Sequence, residues 1–466
     1  MSHSTRDVSP SSAAFASTIP ADTADAPHLS VGVEDRLPPW RTLLHGIQHV
    51  LVSNCWLDPV FVAAMIGLPA AIASNMVNAI FIAAGIVTLT QATRLARLPI
   101  VQGPSAAFDA LMIAAGKANN LAAAAGGILV SGAIIFLLAV AGVIHRLRRL
   151  FTPVVSGSVI TVVGLALSGF TLSEFLGGSP GTPGFLSAQT LAMSVPTALV
   201  VLLLSLFGRG AWRSYAFLIA LVAGDVIGAL LGRTHFNAVA GKGWLGLPRV
   251  FPYGWPQWHW ATFVTFFIAY IVAVIEALGV YQAAAEMTGV DLDARRIRNG
   301  FAGEAVGSLL STAIGGFPTT AYAQNVGLLR ITGVGSRHPV VVAGVLFLIL
   351  GLVPKVGAVL AATPDPVVGG VFLPAAASLV YSGISILLRM ERTEVNYTIA
   401  GLSILLAVAL PQSVAGMSGA AAQLLSNSVL VGAVTAIGLQ VLLVYVPRAL
   451  GWRGGKGGAS RVAARG

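Results

Sequence analysis

The chain has 466 residues, of which 56% are hydrophobic and only 9% charged, and its mean hydropathy is +0.84. A soluble domain carries about a quarter charged residues, so the composition excludes one and makes lipid the solvent for most of the chain. The formal net charge is +10, but Lys and Arg sit in short clusters between apolar runs, the pattern that orients membrane helices rather than one that grips nucleic acid. The single cysteine, Cys55, excludes a disulfide framework and a cysteine-based zinc site.

Residues 1–38 are rich in Ser, Ala, Thr, Asp and Pro and lack a basic stretch leading into an apolar run. They read as a disordered cytoplasmic tail, not a cleaved leader. Residues 39–447 read as a transmembrane domain, and 448–466 as a basic, Gly- and Arg-rich cytoplasmic tail. About 20 apolar residues cross a bilayer as helix. On that rule the domain cuts into about fourteen segments: 42–64, 74–93, 102–116, 122–145, 152–172, 189–208, 212–232, 260–284, 297–313, 320–334, 338–360, 366–389, 394–411 and 423–446. The fold expected is therefore an all-α polytopic membrane protein. Numbered from a cytoplasmic N-terminus, the inside loops hold Arg94 and Arg97, Arg146, Arg148 and Arg149, Arg209 and Arg213, and Arg295, Arg296 and Arg298. The outside loops are poorer in basic residues, which places both termini in the cytoplasm. A long outside loop, 233–259, carries Trp244, Trp255 and Trp258, and Trp260 follows it, a density of aromatics suited to the membrane interface.

An ionisable side chain within a span is expensive and so marks a functional candidate. The submerged set is His49, Asp58, Asp109, Asp225, Glu276 and Glu304, with Gln324 and Asn325 opening the tenth segment. Each has a structural alternative. His49 can be an interhelical hydrogen-bonding group, Asp58 a solvated helix end near the outer surface, and Asp225 one half of a pair across the bundle. Glu276, flanked by Val272, Ala273, Val274 and Ile275, is the hardest to explain structurally.

The third and tenth segments are too short to cross as ordinary helices. In the tenth, Gly315, Gly316 and Pro318 break any preceding helix, Thr319, Thr320 and Tyr322 favour an extended piece, and helix resumes near Gln324. In the third, Pro99, Gly103 and Pro104 do the same before Phe108. A half-helix beginning at mid-membrane points unpaired N–H groups and a positive dipole end into the bundle, and such broken helices build transporter sites at the midplane.

The run Gln324-Asn325-Val326-Gly327, four residues, then Thr332-Gly333 resembles the signature of the nucleobase–ascorbate transporter family, also called nucleobase cation symporter 2. Gln48-His49 resembles the family's first-span pair, Glu276 with Gly279 its eighth-span acidic motif, Gly303-Glu304 the Gly-Asp of xanthine permeases, and Gly103-x-Ser105-x-x-Phe108 its third-span motif. Val280 departs from the pattern, standing where those permeases carry Asp or His.

The resemblance implies fourteen spans in a seven-plus-seven inverted repeat, with a core domain (about 42–145 and 260–360) and a gate domain (about 152–232 and 366–446). It implies proton-coupled uptake of a nucleobase, most simply a purine such as xanthine or uric acid because Gln324 stands where uracil permeases carry Glu. Sodium is the alternative coupling ion and a homodimer the implied assembly. The substrate contacts expected are Glu276, Gln324, Ala323, Asn325, Ser105, Ala106 and Phe108, with Glu304, His49 and Gln48 supporting the site or coupling protons. A carboxylate accepts two N–H bonds and a side-chain amide reads an adjacent N–H/C=O edge, and burial in low dielectric lets a carboxyl carry a proton near neutral pH. Glu304 is expected to hold Glu276 and the tenth-segment N-terminus in register. No cofactor or metal is called for, and the location implied is a bacterial-type inner membrane. The alternatives are a uracil permease of the same family, an anion transporter of similar architecture, which needs a basic residue at the centre, and a non-transporting receptor of the same fold. An enzyme is not expected, because no HExxH, GxSxG or paired-His motif is present.

Overall fold

The computed structural model describes residues 29–147, 151–234, 237–417 and 419–450. In chain order the helices are α1 (Pro39–Ser53), α2 (Leu57–Ile66), α3 (Ala70–Thr93), α4 (Asp109–Lys117), α5 (Leu121–Val140), α6 (Val143–Leu147), α7 (Pro153–Leu176), α8 (Ala188–Phe207), α9 (Ala211–Ser214), α10 (Ala216–Leu230) and α11 (Asn237–Ala240). They continue with α12 (Trp260–Thr288), α13 (Ala294–Ala313), α14 (Ala323–Thr332), α15 (His338–Gly351), α16 (Pro354–Leu360), α17 (Asp365–Leu387), α18 (Glu394–Ser413), α19 (Ala420–Leu425), α20 (Ser428–Gln440) and α21 (Val446–Ala449). Two three-residue strands, β1 (Gln102–Pro104) and β2 (Thr319–Ala321), precede α4 and α14.

The protein is an all-helical, multi-pass membrane protein apart from that ribbon, but the expected count of about fourteen spans is corrected. Among the described residues, nine helices are long and apolar enough to cross a membrane, or ten if α15 and α16, bent by 84° at their junction, make one span. The seven-plus-seven description, which depends on fourteen, goes with it. The reasons are local. α4 and α14 are half-length, α10 has 15 residues, and α13 opens with Arg295, Arg296 and Arg298, which leave too little apolar length. An apolar run read off the sequence is not by itself a crossing.

Two groups of helices pack within themselves. One joins α1, α3, α5, α12, α13, α15 and α16, the other α7, α8, α10, α17, α18 and α20. Lipid gives helices no hydrophobic drive to associate, so close contacts rely on small residues. A methyl on Gly157 of α7 would lie 2.9 Å from the Gly383 carbonyl oxygen of α17, and one on Gly383 would lie 2.8 Å from the Gly157 oxygen. Gly85 of α3 faces the Gly344 carbonyl of α15 in the same way, at 2.8 Å. α2, which packs on α3 of the first group, meets the second where Phe61 stacks on Phe372 of α17, with centroids 3.6 Å apart.

Residues 1–28 and 451–466, where most of both expected tails falls, lie outside the described residues. The stretch from Ser30 to Arg36, which composition assigns to the first tail, is tied to the body. Val31 bridges Val334, the Ser30 amide donates to the Gly333 carbonyl at 2.8 Å, and Glu34 pairs with Arg337 at 2.7 Å and Arg97 at 2.9 Å. Two arginines supply the anchor that a polar stretch cannot supply by burial. Arg337's hydrogen bond, more than any other influence, holds the Glu34 carboxyl below the usual carboxylate range.

Candidate functional site

The two short strands create the site. β1 and β2 pair antiparallel, with Gln102 opposite Ala321, Gly103 opposite Thr320 and Pro104 opposite Thr319. The Ser105 amide donates to Pro318 and the Tyr322 amide to Val101, extending the ladder at both ends. The non-helical backbone inside the membrane thus satisfies itself by pairing, as it must where water is absent. α13 braces both strands. The Gln102 side-chain amide donates to Glu304 Oε1 at 3.0 Å, and Ser308 Oγ accepts the Thr319 N–H at 3.0 Å. Side chains pack onto β1 so closely that a methyl on Gly103 would lie 2.5 Å from Tyr322 Cζ and 2.7 Å from Cys55 Sγ.

Beyond the ribbon the chain turns into helix on each side. Neither Tyr322 before α14 nor Ser105 before the turn Ala106–Phe108 caps the new helix with its side chain, so the first N–H groups of α14 are left for an outside acceptor. α1 and α2 are likewise two pieces of one span, broken at Asn54, which takes the left-handed conformation with φ of 53°.

These breaks open on a cavity of about 460 Å³ between the two helix groups. On one side lie Asn54 and Asp58 from the α1–α2 break, Ala106, Glu276 and Val280 of α12, and Thr320, Tyr322, Ala323 and Gln324. On the other lie Ser156 of α7, Phe217 of α10, and Phe372, Ser378 and Ser382 of α17, with Arg389 beyond the α17 end. Glu276 and Gln324 therefore share one cavity, with the N-terminus of α14 beside them.

Residues 41–415 match the model of a family described as Permease family. The chain belongs to that family, the nucleobase cation symporter 2 (xanthine/uric acid) permeases. The permease is 31% identical over 409 residues to the uric acid permease PucK of Bacillus subtilis (strain 168), covering 86% of this chain and 94% of the relative. It is 29% identical over 412 residues to the xanthine permease of the same organism, covering 86% and 93%. Among solved structures, the transmembrane domain of the cyanobacterial bicarbonate transporter BicA aligns with a TM-score of 0.58 at 16% identity, covering 88% of this chain and all of that one. At that identity the likeness is one of fold alone.

Of the residues expected at the site, Glu276, Gln324, Ala323 and Ala106 line the permease's cavity. The others do not. Phe108 is fully buried, packed edge-on against Tyr270 at 4.9 Å, and so supports α12 instead of a ligand ring. Ser105 is buried with its hydroxyl unpartnered. Asn325 ties α14 to α1, its side-chain amide donating to His49 Nδ1 at 3.0 Å and to the His49 carbonyl at 2.9 Å. That makes His49 an acceptor at Nδ1 and a structural tie. Gln48 bonds His45 at 2.8 Å. Glu304 accepts from Gln102 of β1, which pairs with the strand leading into α14. Asp225, read as one of a pair across the bundle, accepts from Thr363 at 3.2 Å.

Sequence reading missed Phe372, and it left Asp58 a submerged candidate for which a solvated helix end near the outer surface is the alternative. The break at Asn54 sets Asp58 in the first turn of α2 and on the cavity wall. The signal was present: an Asn-Cys-Trp stretch followed by Asp58-Pro59 interrupts the apolar run.

Proposed function

We propose that the protein is a secondary transporter that carries a purine-type nucleobase, of the class of xanthine or uric acid, across a bacterial-type inner membrane in symport with protons. The observation that carries this reading is the single cavity onto which Glu276, Gln324 and the uncapped start of α14 all open. A purine is a planar ring edged with N–H donors and C=O acceptors. The Glu276 carboxylate accepts two N–H bonds, and charge-assisted bonds are the stronger ones. The Gln324 amide pairs with an N–H/C=O edge, the α14 N–H groups receive a ring carbonyl oxygen, and Phe372 packs on the ring face. A site of buried polar groups rejects a base that leaves them unpaired. The similarity to a uric acid permease and a xanthine permease favours purines over uracil. A lining that holds one basic residue, Arg389, beside the carboxylates Asp58 and Glu276 speaks against a simple anion site.

In this reading the first helix group acts as the core that carries the base and the second as the gate it moves against, with the cavity between them as the binding place. The Arg-rich loops support cytoplasmic termini, and a homodimer is the assembly we adopt from the family resemblance. Uptake of labelled xanthine, uric acid, guanine and uracil in a permease-deficient host, with and without a protonophore, tests the proposal. Accumulation of at least one purine base that the protonophore collapses is expected. Well-inserted protein that accumulates none of them overturns it.

A further inference from the structure

The cavity is faced by more acid than one base needs. Glu276 lines it from α12 and Asp58 from α2, and Asp58 lies near enough to feel the charge of Glu276. Val280, next along α12 on the cavity wall, is apolar, so α12 supplies one carboxylate only. Asp109, the first residue of α4, is fully buried, neither of its carboxylate oxygens has a hydrogen-bond partner, and it senses the charges of both Asp58 and Glu276. The other groups near this cluster are the Tyr322 phenol and the Cys55 thiol, both near Asp58, the Glu304 carboxyl of α13, near Glu276, and Gln324 on α14. None is a cation. Arg389, the one basic lining residue, follows the end of α17.

Three carboxylates in or behind a low-dielectric chamber whose lining holds a single arginine cannot all be ionised. A positive species must accompany the loaded state. We take the proton as that species, since a carboxyl can carry one in such a chamber.

We propose that Asp58 is a second carboxylate contact for the transported base and shares the coupling proton with Glu276 across the cavity, with Asp109 as the buried acceptor behind them. This rests on the reading of the cavity as a purine site. The shared proton sits as the O–H of one carboxyl and bonds an oxygen of the other. When a base enters, that hydroxyl donates to a ring acceptor while the ionised partner accepts a ring N–H. The proton then travels with the base, and both leave on the far side.

The test uses purified full-length protein in liposomes holding a pH-sensitive dye, with labelled xanthine or uric acid outside. Wild-type protein is expected to take up the base faster under an inward proton gradient and to acidify the lumen as it does so. Asp58→Asn is expected to raise KM by about tenfold, the scale of one lost charge-assisted bond, and to abolish both the gradient stimulation and the acidification. Asp58→Glu, which keeps a titrating group, is expected to restore gradient stimulation. Asp109→Asn is expected to reduce acidification with a smaller change in KM. Asp58→Asn with wild-type gradient stimulation overturns the inference. If Asp58→Asn does not insert, Asp58→Glu decides: a stimulated Glu variant supports the proposal, and an inserted Glu variant that binds but shows no stimulation overturns it. A wild-type protein that moves no purine base sinks the underlying reading instead, so the two failures are told apart by the wild-type lane.

Discussion

Replacing Gly103 with alanine is expected to damage the site without touching the substrate. The added methyl would sit 2.5 Å from Tyr322 Cζ and 2.7 Å from Cys55 Sγ, where carbon contacts normally rest at about 3.5–4.0 Å. β1 cannot retreat, because it is paired to β2 and braced by Glu304. Tyr322 must therefore shift, and it lines the cavity immediately before Ala323 and Gln324. Overpacking of this kind costs about 1–3 kcal/mol. If the whole cost falls on the binding geometry, KM rises about fivefold to 150-fold, since 1.4 kcal/mol is about a factor of ten. Cys55→Ala removes the sulfur from the clash and leaves the Tyr322 ring, so the double variant should recover part of the loss, with a coupling energy of about 0.5–3 kcal/mol. Equilibrium exchange of labelled base in liposomes, with thermal unfolding in detergent alongside, measures both. A Gly103→Ala protein with wild-type KM and unfolding temperature, or a double variant whose effects simply add, would refute the reasoning.

Glu304→Ala should lower thermal stability by about 1–3 kcal/mol, the cost of leaving the buried Gln102 amide without its acceptor, and Glu304→Gln should be milder because an acceptor oxygen remains. A Gln variant as unstable as the Ala variant would mean that the brace is not what Glu304 contributes. Gln324→Glu is expected to change which unlabelled bases compete for uptake, and an unaltered competition profile removes Gln324 from the selectivity set. For Glu34, whose carboxyl is held low by Arg337 first, the sign follows from linkage. The stabilisation is full above the ordinary carboxylate value and is lost as pH falls through the lowered folded value. The pair is more than half exposed on the Glu34 side, so solvent screening limits it to below about 1 kcal/mol. Comparing wild type with Glu34→Gln by thermal unfolding at neutral and strongly acidic pH should show a gap that closes in acid and in high salt.

The ribbon and its two half-helices were legible because glycine and proline act locally. Gly103-Pro104 and Gly315-Gly316-Phe317-Pro318 forbid continuous helix whatever surrounds them, and the strands fall within a residue or two of those breaks. Glu276 was legible because a lone carboxylate amid apolar residues has few structural uses. The number of crossings was not, because whether an apolar stretch spans the membrane depends on helix length and neighbours, as α10, α13 and the bent α15–α16 pair show. Phe108 and Asn325 belong to motifs whose spacing is visible but whose side-chain directions are set by packing, against Tyr270 in one case and His49 in the other. Asp58 was visible as a submerged carboxylate, but its place on the cavity wall was obscured by a span drawn straight through Asn54.

The clasp formed by Ser30, Val31 and Glu34 has a consequence for biosynthesis. Its partners, Gly333 and Arg337, stand 303 positions later in the chain. Arg97 follows Glu34 by only 63 positions, but at about 5–20 residues per second on the ribosome the segment waits about 15–60 s before the Arg337 half of its anchor exists. Made among the first described residues, it is among the last to be fastened, so severing Glu34 from Arg337 should show in newly made protein as delayed protease resistance.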